Sequence, residues 1–244
     1  MTPVACKDCP LRTLDLFIPH SPEQLALIQS LKRGQINVAA GQAIIHEGQS
    51  DALLYTLWAG WAFRFKTLTD GRRQILNFLL PGDFIGVQQK MSEALSHGVQ
   101  ALSDVQLCVF SRDALWELHR SQPAMGFNLT WLTAQEQSVV DDSLLSVGRR
   151  NAEERIAALL IVLFKRSAAM LPDGGEGGVP FPLTQQHIAD ALGLSLVHTN
   201  KTLRRLQSLG LYKLDAGWLR ILDPHALETL GDYFERPMRP TPLI

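Results

Sequence analysis

Three cysteines are the first residues in this chain whose type and spacing could do chemistry beyond packing. Cys6 and Cys9 are separated by two residues, a gap that lets both sulfurs face one metal centre, and Cys108 follows far downstream in Val-Gln-Leu-Cys-Val-Phe. An odd count excludes a disulfide framework and favours free thiols acting as ligands or redox groups. The residues alone leave several readings open. Cys6 and Cys9 could bind zinc with other ligands or form a redox pair, and a mid-strand cysteine such as Cys108 also serves as a small buried hydrophobe. His46, Glu47, His97 and His119 are the ligands available to a cupin-like metalloenzyme, a remote alternative because no His-x-His occurs. Gly-x-Ser-x-Gly is also absent. An enzyme is not expected.

A second constellation lies around residue 200. Thr184 can cap a helix that buries Ile188, Ala189 and Leu192, Gly193 supplies a turn, and Ser195 caps a second helix. That second helix buries Thr199, Thr202, Leu203 and Leu206, which leaves Val197, Asn200, Lys201 and Arg204 along one outward face. A major groove admits one such helix, so these four side chains are expected to meet base edges, with Thr184, Gln186, Ser195 and Arg205 on the DNA backbone. Leu211–Leu214 and Trp218–Leu222 then read as a hairpin, the wing of a winged helix. Charge agrees. Residues 149–222 carry 10 basic and 6 acidic side chains, although the whole chain has a net charge of -1.

The elements that must position these residues follow from periodicity. Ser21-Pro22-Glu23-Gln24 is a capping box that opens a short helix. From Ile36 to Phe110 glycines punctuate short strands, and Trp61, Phe63 and Phe65 alternate with Ala62, Arg64 and Lys66 as in a half-buried strand. This region is expected to be a small antiparallel barrel or sandwich. Leu132, Val139, Val140, Leu144 and Val147 put an apolar stripe on a long helix after Pro123, and a second copy of that helix is the economical cover. No basic segment precedes an apolar core at the N-terminus, and the longest apolar run, Ile156 to Phe164, is about half a membrane span. A cytoplasmic protein is expected.

This order of parts, with Gly82-Asp83-Phe84-Ile85-Gly86, Asn151-Ala152-Glu153-Glu154-Arg155 and the recognition segment, resembles the Crp/Fnr superfamily of bacterial transcription regulators. The N-terminal cysteines place the resemblance on the Fnr side. It implies an α+β chain: an N-terminal antiparallel β-roll of the cyclic-nucleotide-binding kind, a long dimerisation helix and a C-terminal winged helix-turn-helix. The expected divisions are an arm at 1–20, the β-roll at 21–120, the dimer helix at 121–148 and the DNA-binding domain at 149–244. The implied partners are an inverted-repeat operator with half-sites about 34 Å apart, a second copy of the chain, and RNA polymerase. It also implies oxygen or redox sensing through a [4Fe–4S] cluster held by Cys6, Cys9 and Cys108, with Asp15 at the position of the remaining ligand. A carboxylate there departs from the family's cysteine. Cyclic AMP is not expected, because Val87 and His97 stand where binders carry glutamate and arginine. The alternatives are a regulator sensing another small molecule or haem in the β-roll, and a thiol redox regulator without a cluster.

Overall fold

The computed structural model describes residues 4–87, 94–233 and 239–244. The chain forms two compact units, Met1–Lys66 with Phe78–Ser138 and Met238–Ile244, and Thr67–Asn77 with Val139–Pro237.

In the first unit two short 3-10 turns, Cys6–Asp8 and Pro10–Thr13, precede helix α1 at Pro22–Leu31. Both halves of the expected capping box form at Ser21 and Gln24. Eight strands follow among the described residues: β1 Lys32–Val38, β2 Ala43–Ile45, β3 Leu54–Ala59, β4 Ala62–Thr67, β5 Arg73–Leu79, β6 Phe84–Ile85, β7 Gly98–Ala101 and β8 Val105–Phe110, with most of β5 falling in the second unit. They make two four-stranded sheets, ordered β1-β8-β3-β6 and β2-β7-β4-β5, and every pairing described is antiparallel. Leu57, Val99, Leu107 and Ile45, fully buried, form one core of the roll. A second core gathers Cys6, Ile28, Leu54, Phe110 and Met125. It includes residues of α2, Asp113–Ser121, and of α3, Pro123–Arg149.

The second unit contains the later turns of α3, then α4 at Ala152–Ala168, β9 Val179–Pro180, α5 Gln185–Leu192, α6 Leu196–Ser208, β10 Tyr212–Asp215, β11 Trp218–Ile221 and α7 Pro224–Leu230. Helix α4 starts where it does because Asn151 caps it: its side chain accepts from the Glu153 and Glu154 amides while Glu154 reaches back to the Asn151 amide. The Asn-Ala-Glu-Glu-Arg run is thus a helix start, and Arg155 finishes it by donating to the Arg150 carbonyl at 2.7 Å and the Leu192 carbonyl at 2.9 Å. The hairpin is three-stranded rather than two, because β9 pairs with β11. Two residues made that third strand too short to show as a period in the sequence.

Candidate nucleic-acid interface and cysteine site

Thr184 caps α5 by accepting from the His187 amide. Gly193 ends it at φ 63°, ψ 34°, a left-handed conformation that a side chain would strain. Ser195 starts α6 by accepting from the His198 amide at 3.2 Å. The buried and outward faces of α6 fall as the periodicity expects. Thr199, Thr202, Leu203 and Leu206 are buried, while Val197 is 80% exposed and Lys201 and Arg204 are exposed beside it. Asn200 is half-buried on the same face, and its side-chain oxygen is buried with no hydrogen-bond partner. Among the expected backbone contacts, Thr184, Gln186 and Ser195 are exposed at helix starts. Arg205 is tied to Glu153 at 2.9 Å, so the helix start at Asn151 also orients this guanidinium.

In the first unit the arm brings its thiols to β8. Cys6 is buried, and Cys9 and Cys108 are half-buried. Burial pushes the Cys6 thiol up, Lys32 and Arg12 pull it down, and Cys108 and Cys9 add to the rise, so both other sulfurs are within electrostatic reach of Cys6. The arm is held from α1 and β1. Gln29 accepts from the Cys6 amide at 2.7 Å, Gln35 accepts from the Val4 amide at 2.8 Å, and Lys32 donates to the Val4 carbonyl at 2.8 Å. Arg12 lies among the thiols, donating to the Cys6 carbonyl at 3.1 Å and bonding His20 at 2.9 Å. Burial and that guanidinium lower His20 to a pKa of about 4, so it meets Arg12 as a neutral acceptor. Asp15 sits exposed on the turn before Phe17. Among the described residues no three His, Cys, Asp or Glu side chains stand at metal-binding spacing.

Two segments of the chain match known protein families. Residues 35–122 match the cyclic nucleotide-binding domain and residues 154–230 the Crp-like helix-turn-helix domain. The chain is 30% identical over 226 residues to the nitrogen fixation regulation protein FixK of Bradyrhizobium diazoefficiens, covering 93% of each. It is 31% identical over 231 residues to the transcriptional activator protein FnrL of Cereibacter sphaeroides, covering 93% of this chain and 92% of that one. The chain belongs to the Crp/Fnr family. The anaerobic regulatory protein of Pasteurella multocida is a more distant relative, 26% identical over 230 residues, 93% of this chain and 83% of the other. The structure of FixK2 from Bradyrhizobium japonicum superposes with a TM-score of 0.71 at 25% identity, covering 80% of this chain and 96% of that one. This Crp/Fnr chain is therefore a DNA-binding transcription regulator with the expected α+β fold, and not an enzyme. Among its described residues no helix is long and apolar enough to cross a membrane.

Its β-roll departs from the sequence expectation at β4. Alternation placed Arg64 with Lys66 on the solvent side, yet Arg64 is 6% exposed. The reason is an ion pair with Glu136 of α3, also largely buried. Burial outweighs the guanidinium and pushes Glu136 up to about 7, with Asp83 adding to the rise. His97, which stands where cyclic AMP binders carry arginine, is buried beside them and lowered to about 4 by burial, then by Arg64 and Lys66. His46 and Glu47 are exposed in the loop after β2, and His119 lies near the end of α2. On α3, Leu144 is 71% exposed, and Leu132, Val139, Val140 and Val147 are half-buried. Phe127 and Leu145, 69% and 50% exposed, extend that apolar surface and were absent from the sequence reading.

Proposed function

We propose that this Crp/Fnr regulator is a dimer that reads an inverted-repeat operator with Val197, Asn200, Lys201 and Arg204. Its sensor, in this reading, is an iron–sulfur group on Cys6, Cys9 and Cys108, with Asp15 or an exogenous ligand as the fourth. One observation carries the sensor half: Cys9 from the arm and Cys108 from β8 both act electrostatically on the buried Cys6 thiol, beside two cations, Lys32 and Arg12. The name of the Pasteurella relative as an anaerobic regulatory protein supports oxygen as the signal. The donor set fits the group by its chemistry, since cluster iron is bound mostly by thiolates, and Lys32 and Arg12 offset part of the rise that burial imposes on the Cys6 thiol. When bound, such a cluster supplies oxygen-labile redox chemistry. Cys6 and Cys9 would hold it from the arm and Cys108 from β8, while Gln29, Gln35 and Lys32 keep the arm on the roll. Neutral His97 and apolar Val87 support the reading that cyclic AMP is not the effector, because neither supplies what a phosphate or a ribose hydroxyl needs.

The dimer half rests on the apolar surface of α3, with Leu132, Val139, Val140, Leu144 and Val147 as its seam. Anaerobic purification followed by an absorption spectrum, iron and sulfide analysis and operator binding tests the sensor, with Cys6→Ala and Cys108→Ala alongside the wild type. Both variants are expected to lose the iron and the operator affinity. A full iron complement in either, or equal operator binding with and without iron, removes the cluster. A thiol regulator without a cluster is the second reading, favoured by Arg12 lying among the thiols. It requires operator binding that tracks thiol oxidation in protein free of iron.

A further inference from the structure

Residues 239–244 follow α7 in sequence but fold into the first unit. Pro242, Leu243 and Ile244 are all buried, the last two at 2% and 5% exposure. Ile244 belongs to the same apolar cluster as Cys6, and Cys108 packs against that cluster. The backbone of this segment runs beside the arm: the Ile18 amide donates to the Thr241 carbonyl at 3.0 Å, and the Thr241 amide donates to the Leu16 carbonyl at 2.8 Å. Two side chains complete the hold. Thr56 donates to the Ile244 carbonyl at 2.5 Å, and Arg12 donates to the Leu243 carbonyl at 3.3 Å.

Both side chains lead to the cysteines. Gln35, Cys108 and Thr56 are register partners across β1, β8 and β3, so their side chains stand in one row on one face. At one end of that row Gln35 holds Val4 of the arm and also donates to the Cys108 sulfur at 3.6 Å. At the other end Thr56 holds Ile244. Arg12 repeats the connection from above, because the guanidinium that grips Leu243 is bonded to the Cys6 carbonyl and feels all three sulfurs. A change of bonding at Cys6 or Cys9 acts on that carbonyl and on the charge facing Arg12. A change at Cys108 acts in the row between the two grips.

We infer that residues 239–244 are a strap on the cysteine site, held while the thiols are free and Arg12 lies among them, and loosened when the thiols are engaged. The inference rests on the reading of these cysteines as the sensor, and it makes the stretch that follows α7 in sequence part of that sensor. A switch needs contacts that differ between its states, and the Arg12 and Thr56 bonds are such contacts.

Hydrogen exchange read by mass spectrometry on the full, metal-free, reduced chain tests it. The engaged state is made by capping all three thiols with iodoacetamide, followed to completion by mass. Capping is expected to speed exchange in peptides spanning 239–244 and 16–18 at least tenfold, with β10 and β11 unchanged as the control. Arg12→Gln, uncapped, is expected to loosen the same peptides and to speed Cys6 alkylation tenfold. Unchanged protection of 239–244 in both preparations overturns the strap. Absence of iron after anaerobic purification sinks the cluster reading alone, because neither preparation uses metal.

Discussion

The pair Arg64–Glu136 joins the β-roll to the helix proposed as the dimer seam, and it makes a quantitative claim. Glu136 rises from an ordinary 4.5 to about 7 because burial disfavours its charge more than one guanidinium favours it. The folded protein therefore holds a proton on Glu136 more firmly than the unfolded chain does. This group's contribution to stability is complete below pH 4.5 and is lost as pH rises through about 7. A shift of that size is worth roughly 3 kcal/mol in all, of which about 2.5 kcal/mol falls between pH 5 and pH 8. His97, lowered from 6.5 to about 4, stays neutral in the fold across that window but titrates there in the unfolded chain, an opposite dependence that cancels when parent and Glu136 variant are compared. The assay is urea unfolding followed by tryptophan fluorescence in a Trp218→Phe background, which leaves Trp58, Trp61, Trp116 and Trp131, all within the first unit. Glu136→Gln cannot titrate, so its stability relative to the parent should rise by about 2 kcal/mol from pH 5 to pH 8. Arg64→Met removes the partner that lowers Glu136 and should steepen the parent's loss above pH 7. A difference between parent and Glu136→Gln that stays constant across the range would refute the argument, for it would mean that the ion pair keeps Glu136 charged throughout.

Leu144→Asp should favour monomers and weaken operator binding at least tenfold; light scattering that still gives dimer mass would take the seam off α3. Asn200→Ala should relax preference at one base position by about 1–3 kcal/mol, read by competition among single-base operator variants. Equal losses on specific and random DNA would make Asn200 a backbone contact. Gly82→Ala should cost about 1–3 kcal/mol and speed Cys6 alkylation. Its new methyl group would meet the Phe17 ring at 2.4 Å, on a backbone at φ +96°. Asn151→Ala should lower the melting temperature of the second unit through the loss of about 1 kcal/mol of capping.

How much of this was legible beforehand divides by the range of the interactions. Ser21, Asn151, Thr184 and Ser195 announced their helix starts because a cap is decided within three residues. The outward face of α6 followed from the helical period for the same reason. Arg64 defeated the two-residue period because its partner Glu136 lies in another element, and a buried ion pair overrides alternation without any local mark. The meeting of Cys108 with Cys6 is a property of tertiary packing, and spacing offered only the Cys6–Cys9 half of it. Residues 239–244 escaped entirely. Their one signal was the apolar Pro242-Leu243-Ile244 after a charged stretch, and six residues are too few to show a period.

The orphaned oxygen of Asn200 has a consequence for how a recognition helix rejects sequences. The oxygen is closed to solvent where it stands, so no base can meet it until the side chain turns outward. If Asn200 reads a base as proposed, that turn gives up no hydrogen bond inside the protein, because the acceptor has none to lose. Adenine, whose edge offers a donor beside an acceptor, would then complete the amide, while a base offering only acceptors would leave its oxygen unmet in a dehydrated contact. Discrimination at this position would then come more from exclusion than from attraction, and it would be sharpest against the wrong base rather than strongest for the right one.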